Sequence, residues 1–359
     1  MNILIVKLSA IGDVIHTLPA LSALRVHYPA AHITWLVEAA AADLVVGHKS
    51  LDRVMVSHRK RWIRQLKGRQ RWQALTEIRR FWHDLRDTRY DMIIDFQALL
   101  KSGLLVWLAR GERKIGFDKG MQHQEHSYLL LNERIPPVDM EVHALTRGLM
   151  LLRAIGIEAK SVVYDVPVST EDRSRVKSLL QTHGIDGSRP LVAINPVALW
   201  ETKLWRNDRF ALLADRLINE HGVDVVFTGG PGDQAVIRDI RQMMRAPSAD
   251  FSGRTTLTMS AALYQLSALL VTTDTGPMHL AAAVGTKVVA LFGPTAPWRT
   301  GPFGNGHQVI RTAPPCSPCF KRRCDVHRCR CMTDITVAQV QDAVKRILLD
   351  PGRLDAVPS

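Results

Sequence analysis

The sequence lacks any apolar run of the roughly 18 residues that a membrane-spanning helix needs. Its first residues also lack the basic segment and cleavage site of a secretory signal, because a strand-like apolar run begins at residue 3. We therefore expect a cytoplasmic protein. With 359 residues, the chain is long enough for two or three domains that each bury a core.

Familiar phosphate-binding signatures are missing as well. The turn after the first strand is not G-x-G-x-x-G, and G-x-x-x-x-G-K-[ST] is absent, which argues against a nicotinamide dehydrogenase and a P-loop NTPase. No Asp-x-Asp pair is present to hold a sugar nucleotide through a metal ion. Cationic side chains and helix N-termini would have to neutralise a diphosphate. We expect no cofactor and no metal.

Acidic residues are scarce relative to basic ones, 34 against 47, so the net charge is +13. This balance favours an anionic partner. Between Ser57 and Arg89, eleven basic and three acidic residues surround Trp62, Trp72 and Trp82. The stretch is either a solvated amphipathic helix with its tryptophans in the core, or a surface for phosphates at a membrane. Without a zinc-finger, RNP or helix-turn-helix signature, nucleic acid is not expected.

Cysteine is rare and confined to one segment, with all five cysteines between Cys316 and Cys331. A disulfide framework is not expected in a cytoplasmic protein of this size. The spacing Cys-x2-Cys-x4-Cys-x4-Cys-x-Cys, with His327 inside it, is not the paired Cys-x2-Cys of a typical zinc site. Zinc, a disulfide or neither remains open for Cys316, Cys319, Cys324, Cys329 and Cys331.

What the chain does contain is a repeated alternation of short apolar strands and amphipathic helices, which restarts near residue 191. This alternation is typical of parallel sheets flanked by helices. We predict two Rossmann-like α/β domains, residues 1–165 and 189–335, joined by a linker region at 166–188. The last helix and tail, 336–359, are expected to pack back on the N-terminal domain.

The first strand runs into a glycine-containing turn, residues 7–13, and then into a helix. Ser9 and Asp13 therefore lie at a helix N-terminus beyond the carboxyl end of a strand, where α/β proteins bind anions and other ligands. Asp13 is either a helix cap or a general base. Gln97 and Lys101 follow a later buried strand, and we expect them to face the same cleft.

In the second half, the turn Asp274–His279 also joins a strand to a helix. The backbone N–H groups of Thr275, Gly276 and Met278 can surround a phosphate there. His279 can add a donor, or it can be an ordinary core histidine.

Two further residues of this half fit a nucleotide. Lys203 offers a point charge for a phosphate, although it can also be a surface lysine. Asp233 ends a glycine-rich turn, residues 229–233, and is placed to accept hydrogen bonds from ribose hydroxyls.

Several stretches, in order and over nearly the whole chain, resemble the bacterial lipopolysaccharide heptosyltransferases, the ADP-heptose-using glycosyltransferase family 9. These are residues 7–21, 90–102, 200–205, 274–283 and 291–295. His16-Thr-Leu-Pro, Trp35-Leu-Val-Glu38 and Lys60-Arg-Trp62 are most similar to heptosyltransferase I. The resemblance implies a GT-B fold, with two Rossmann-like domains facing each other across a cleft.

The resemblance also implies a reaction and roles. The reaction is inverting transfer of L-glycero-D-manno-heptose from ADP-heptose to the sugar acid Kdo of Kdo-lipid A, at the cytoplasmic face of the inner membrane. The resemblance implies that Asp13 is the catalytic base. The implied donor contacts are Lys203, Asp233, Thr255, Asp274, Thr275, Gly276 and His279. The implied acceptor contacts are Ser9, Lys60, Arg61, Arg64, Gln97 and Lys101.

Two alternatives stay open. One is a heptosyltransferase II-like enzyme, whose acceptor is a heptose. The other is a nucleotide-diphosphate-binding protein without transferase activity, against which the presence of Asp13, Lys203 and Asp274 argues.

Overall fold

The alternation of apolar strands and helices predicts parallel sheets, and both halves of the chain form one. The computed structural model describes residues 1–121, 125–325 and 329–349. The chain divides into two units, Met1–Pro167 and Val168–Ser359. Among the described residues, no helix has both the length and the apolar character that crossing a bilayer requires.

The first unit contains one six-stranded parallel sheet in the order β3-β2-β1-β4-β5-β6. Its strands are β1 (Asn2–Val6), β2 (His32–Glu38), β3 (Arg53–Ser57), β4 (Tyr90–Asp95), β5 (Gly111–Phe117) and β6 (Glu133–Ile135). Its helices are α1 (Ile11–His27), α2 (Arg59–Leu66), α3 (Arg71–Arg86), α4 (Leu100–Leu108) and α5 (Ala144–Arg153). The central strands are buried on both faces, so they are almost continuously apolar in sequence.

The second unit contains another six-stranded parallel sheet, in the order β12-β11-β10-β7-β8-β9. Its strands are β7 (Leu191–Asn195), β8 (Asp224–Phe227), β9 (Ala249–Asp250), β10 (Leu269–Thr273), β11 (Lys287–Leu291) and β12 (Gln308–Ile310). Its helices are α6 (Thr170–Thr182), α7 (Asn207–His221), α8 (Gln234–Met243), α9 (Leu257–Leu266), α10 (Gly276–Ala283), α11 (Pro297–Thr300), α12 (Arg330–Thr333) and α13 (Val337–Leu348).

The region between the two sheets contains α6, which Ser169 caps by accepting a hydrogen bond from Asp172 N at 3.0 Å. One expectation about the end of the chain needs correction. The final helix, expected on the N-terminal domain, packs into the core of the second unit, because Val340 and Val344 are fully buried there beside residues of α7. The tail at 350–359 lies outside the described residues.

Candidate active site

Both sheets have the strand order of a doubly wound fold, which reverses direction once. The reversal falls between β1 and β4 in the first unit and between β7 and β10 in the second. Ligands of such sheets bind beyond the carboxyl ends of the strands at this switch point. Asp13 and Gln97 follow β1 and β4, and Lys203 and Asp274 follow β7 and β10, so the predicted residues lie where the topology favours binding.

The turn after β4 is organised by the carboxylate of Asp95, the last residue of that strand. Its Oδ1 accepts hydrogen bonds from the backbone N–H groups of Gln97 at 2.9 Å and Ala98 at 3.2 Å, and its Oδ2 accepts from Ser102 Oγ at 3.0 Å. Gln97 Oε1 in turn accepts from the N–H groups of Leu8 and Ser9, each at 3.0 Å. The turn after β4 therefore holds the turn after β1 in place.

Burial shifts the pKa values of two groups beneath this site. Asp95 is 1% exposed, and desolvation raises its pKa to about 6 against the opposing effect of its hydrogen bonds. Desolvation also lowers the pKa of Lys7, whose charged form Asp13 and Asp95 favour. Lys7 Nζ donates to the carbonyl oxygen of Phe96 at 2.9 Å, which fixes its ammonium group next to the β4 turn.

Asp13 is a cap and a pocket residue at once. Its Oδ2 accepts a hydrogen bond from the N–H of Ala10 at 3.0 Å at the start of α1. The same residue lines a pocket of about 260 Å³ together with Gln97. The cap interpretation is confirmed by this geometry, and it leaves the base role possible because a carboxylate has a second oxygen. The base role stays a prediction.

Two predicted acceptor residues contact each other directly. Lys101 Nζ donates to Ser9 Oγ at 2.7 Å and lies 3.4 Å from Glu38 Oε1. Glu38, buried at the end of β2, also pairs with Arg59 at 3.2 Å. Glu38 therefore connects the first residue of α2 to the loop beside Asp13.

Lys60, Arg61 and Arg64 lie on α2 and are exposed, and Arg61 forms an ion pair with Glu77 of α3. Trp62 is buried and donates through Nε1 to Glu77 at 2.8 Å, whereas Trp72 is 70% exposed. The interpretation of these tryptophans as core residues is therefore right for Trp62 and wrong for Trp72.

In the second unit, Lys203 is held by Asp274. Lys203 Nζ lies 2.7 Å from Asp274 Oδ2 and donates to the Asp274 carbonyl at 3.1 Å. Thr295 Oγ1 donates to the same Oδ2 at 2.7 Å. The ammonium also lies 4.6 Å from the centre of the Trp200 ring. The interpretation of Lys203 as an ordinary surface lysine is wrong, because it is anchored at the switch point.

Asp233 and Thr255 lie on two turns that contact each other. Asp233 Oδ2 accepts from the N–H of Gly230 at 2.7 Å, and Thr255 Oγ1 lies 2.9 Å from Ser260 Oγ. The N–H of Gly253 donates to the Gly229 carbonyl at 2.9 Å, which joins the turns. Gly253 has φ +67°, and a Cβ there would lie 2.9 Å from Pro231 Cα, so this close approach needs glycine.

The phosphate loop needs one correction. Thr275 is the N-cap residue of α10 and Gly276 is its first residue, as a phosphate site at a helix N-terminus requires. Met278, however, already donates its N–H to the Thr275 carbonyl at 3.2 Å, so its expected contact with a phosphate is not supported. His279 is buried on α10.

None of the five cysteines of the segment forms a disulfide; they are Cys316, Cys319, Cys324, Cys329 and Cys331. Within residues 1–121, 125–325 and 329–349, no group of three or more His, Cys, Asp or Glu side chains is arranged to hold a metal ion. His327 lies outside the described residues.

Besides Asp13, three ionisable residues line this pocket that the sequence reasoning did not assign to the site: Lys7, His16 and Arg147. Lys7 could have been found, because it directly follows β1 at the predicted ligand edge. Arg147 carries no such signal, since it reaches the pocket only because α5 packs against α1.

Comparison with known proteins agrees with this geometry. Residues 78–329 match the model of glycosyltransferase family 9 (heptosyltransferase). Lipopolysaccharide heptosyltransferase 1 of Pseudomonas aeruginosa is 32% identical over 90% of this chain and 87% of its own length.

Two solved structures share the fold. A family 9 glycosyltransferase of Veillonella parvula superposes with a TM-score of 0.82 at 24% identity, covering 97% of each chain. Escherichia coli heptosyltransferase WaaC, solved with ADP, gives a TM-score of 0.75 at 23% identity, covering 97% of this chain and all of WaaC. The two doubly wound units are thus those of a GT-B glycosyltransferase. The chain belongs to glycosyltransferase family 9, the heptosyltransferases.

The buried carboxylate of Asp95 makes stability depend on pH in a defined direction. Asp95→Asn keeps an oxygen for the N–H groups of Gln97 and Ala98 but does not titrate. Because the folded-state pKa is raised from 3.8 to about 6, the unfolded chain loses this proton first as pH rises. Between pH 4 and 6, the free energy of unfolding of the wild type should therefore fall by up to about 3 kcal/mol relative to that of the variant. Above pH 6 it should fall no further.

Thermal unfolding of both proteins from pH 4 to 8 measures this difference. A gap between the two melting temperatures that stays constant across the window would contradict a raised pKa at Asp95.

Proposed function

We propose that this chain transfers L-glycero-D-manno-heptose from ADP-heptose to the Kdo of Kdo-lipid A, with inversion at the anomeric carbon. The observation that carries the proposal is that the first unit has a pocket-lining carboxylate, Asp13, at its switch point, and the second unit has an anchored cation, Lys203, at its own. The family membership and the lipopolysaccharide heptosyltransferase 1 relative support the choice of donor and acceptor.

Asp13 acts as the general base. It takes the proton of a Kdo hydroxyl while that oxygen forms a bond to the anomeric carbon of the heptose. The bond from this carbon to the diphosphate breaks, and its electron pair leaves with ADP. The hydrogen bond from the Ala10 N–H to Asp13 Oδ2 fixes the carboxylate during the step, and a base of this kind typically contributes about 10²–10⁴-fold.

Lys203 and the N-terminus of α10 stabilise the departing ADP. The ammonium is already held by Asp274, and Thr275 and Gly276 begin the helix beside it. Such preorganised groups stabilise developing charge without having to move. Asp233 and Thr255, on their joined turns, contact the ribose and adenine. The proposal includes no metal, because this cation and helix terminus are suited to the diphosphate.

The α2–α3 surface meets the anionic lipid at the cytoplasmic face of the inner membrane. Its exposed basic residues include Lys60, Arg64, Lys67, Arg69 and Arg71. Its exposed apolar residues are Ile63, Leu66, Trp72 and Leu75. Basic side chains attract anionic headgroups, and an exposed tryptophan suits the headgroup level.

The alternative acceptor is a heptose, as for a heptosyltransferase II-like enzyme. Purified protein with ADP-heptose and either Kdo-lipid A or its heptosylated form separates the two by the acceptor that releases ADP. If neither acceptor causes ADP release, the proposed function is contradicted.

Replacing Asp13 separates its two roles. Asp13→Asn keeps an oxygen for the Ala10 N–H, so the fold and ADP affinity should be unchanged, while turnover falls by about 10²–10⁴-fold. Steady-state kinetics and calorimetry with ADP measure the two effects. Near wild-type turnover in a folded Asp13→Asn protein would reduce Asp13 to a helix cap.

Lys203 is expected to recognise the diphosphate rather than the nucleoside. Lys203→Ala should lower ADP affinity by about 10-fold or more, as for a hydrogen bond to a charged group. AMP affinity should change much less, because AMP lacks the second phosphate. Lys287→Ala, at a half-buried lysine of the same unit whose Nζ donates to the Asn305 carbonyl, is the matched control. Equal losses for ADP and AMP would place Lys203 elsewhere in the site.

Binding to anionic vesicles should weaken steeply as salt rises, because exposed charges are screened beyond about 10 Å at 0.1 M. Trp72→Ala should weaken it further. Trp107→Ala, which removes another exposed tryptophan of the same unit, should not. Vesicle sedimentation measures the binding of the wild type and both variants. Binding that does not depend on salt would refute the electrostatic role of the α2–α3 surface.

A further inference from the structure

The cysteine segment is hydrogen-bonded to two turns of the second unit. Thr202, in the turn after β7, donates through Oγ1 to the carbonyl oxygen of Lys321 at 2.7 Å. The N–H groups of Cys319 and Phe320 donate to the carbonyl oxygen of Pro294, in the turn after β11, at 3.0 Å and 2.8 Å. Both turns lie at the carboxyl ends of their strands, so the segment borders the edge where a doubly wound sheet binds ligands.

These hydrogen bonds place a second cation beside the turn of Lys203. Arg322 Cζ lies 5.3 Å from the centre of the Trp200 ring, and Lys203 Nζ lies 4.6 Å from the same centre. An aromatic face attracts cations at these distances. A guanidinium stacked on a ring keeps its N–H donors along its edge, where phosphate oxygens can accept them. Arg322 is also exposed, so a ligand can reach it.

The charge balance at this turn favours an additional cation. Lys203 Nζ lies 2.7 Å from Asp274 Oδ2, so this pair has no net charge. The N-terminus of α10 adds only about half an elementary charge. A diphosphate carries more than that, because its terminal phosphate alone has a charge of about −1.5 to −2 near neutral pH. Lys203 and the helix terminus therefore leave most of the ligand's charge to be balanced by another group.

We infer that Arg322 is a second diphosphate-binding cation, which acts together with Lys203 at the edge of the second sheet. The inference rests on the proposed function and deepens it, because it adds a residue of the cysteine segment to the donor site. A guanidinium can donate two parallel hydrogen bonds to one phosphate, whereas the ammonium of Lys203 acts as a point charge. The two cations therefore contribute differently to the same ligand.

The test measures binding without turnover. Arg322→Met keeps an unbranched apolar side chain over Trp200 but removes the charge. The affinity for ADP and for inorganic pyrophosphate should fall by about 10- to 100-fold, as for lost hydrogen bonds to a charged group. The affinity for adenosine, which has no phosphate, should stay unchanged. Arg322→Lys should keep part of the ADP affinity, since it restores a charge but not the planar donors.

Arg323→Met, at the next exposed arginine, is the matched control and should bind all three ligands as the wild type does. Calorimetry measures ADP and pyrophosphate, and an NMR titration measures adenosine. An Arg322→Met protein with the ADP affinity of the wild type would overturn the inference. An equal loss for adenosine would also overturn it, because Arg322 would then only support the Trp200 ring. Should Arg322→Met fail to fold, Arg322→Gln replaces it and the same outcomes decide.

Failure of the proposed function looks different. If the wild type transfers heptose to neither acceptor, that function is wrong, while binding of ADP and pyrophosphate still tests Arg322. Pyrophosphate binding that is lost in Arg322→Met and kept in Arg323→Met supports the second cation. A wild type that binds neither ADP nor pyrophosphate, or equal pyrophosphate binding by all the proteins, overturns it.

Discussion

The first unit depends on a buried carboxylate at the end of its central strand. Asp95 accepts hydrogen bonds from two backbone N–H groups and one hydroxyl, although burial raises its pKa to about 6. A buried carboxylate is costly unless such partners satisfy it. The fixed turn then positions Gln97, which holds the loop of Ser9. The geometry around Asp13 therefore follows from a group that does not itself line the pocket.

The second unit uses a related constraint at the corresponding strand. Asp274 follows β10, which occupies the position in its sheet that β4 occupies in the first. There the buried carboxylate binds Lys203 and Thr295 instead of turn N–H groups. Removing one partner of a buried pair leaves an uncompensated charge, so the pair fixes the lysine at the switch point. One unit thus orients a loop and the other orients a cation by the same physical means.

The sequence predicts the central strands of each sheet, and the ligand-binding turns at their carboxyl ends, better than the rest. The second series of strands begins at Leu191 of β7, as predicted, because buried parallel strands are continuous apolar runs that the sequence shows directly. The edge strands β6, β9 and β12 have two or three residues, too few to show a pattern.

The same distinction applies to the site. Residues in the turns that follow central strands, such as Lys203 and Asp274, could be placed by topology alone. Arg147 could not, because its position depends on how α5 packs against α1.

The cationic side chains at the sites also differ from those on the surface in how they are held. Lys7, Arg147 and Lys203 each donate to a backbone carbonyl, whereas Lys60 and Arg64 are exposed on α2. Anchored cations lose little freedom when a ligand binds, so they suit recognition, and the exposed ones suit long-range attraction that salt weakens.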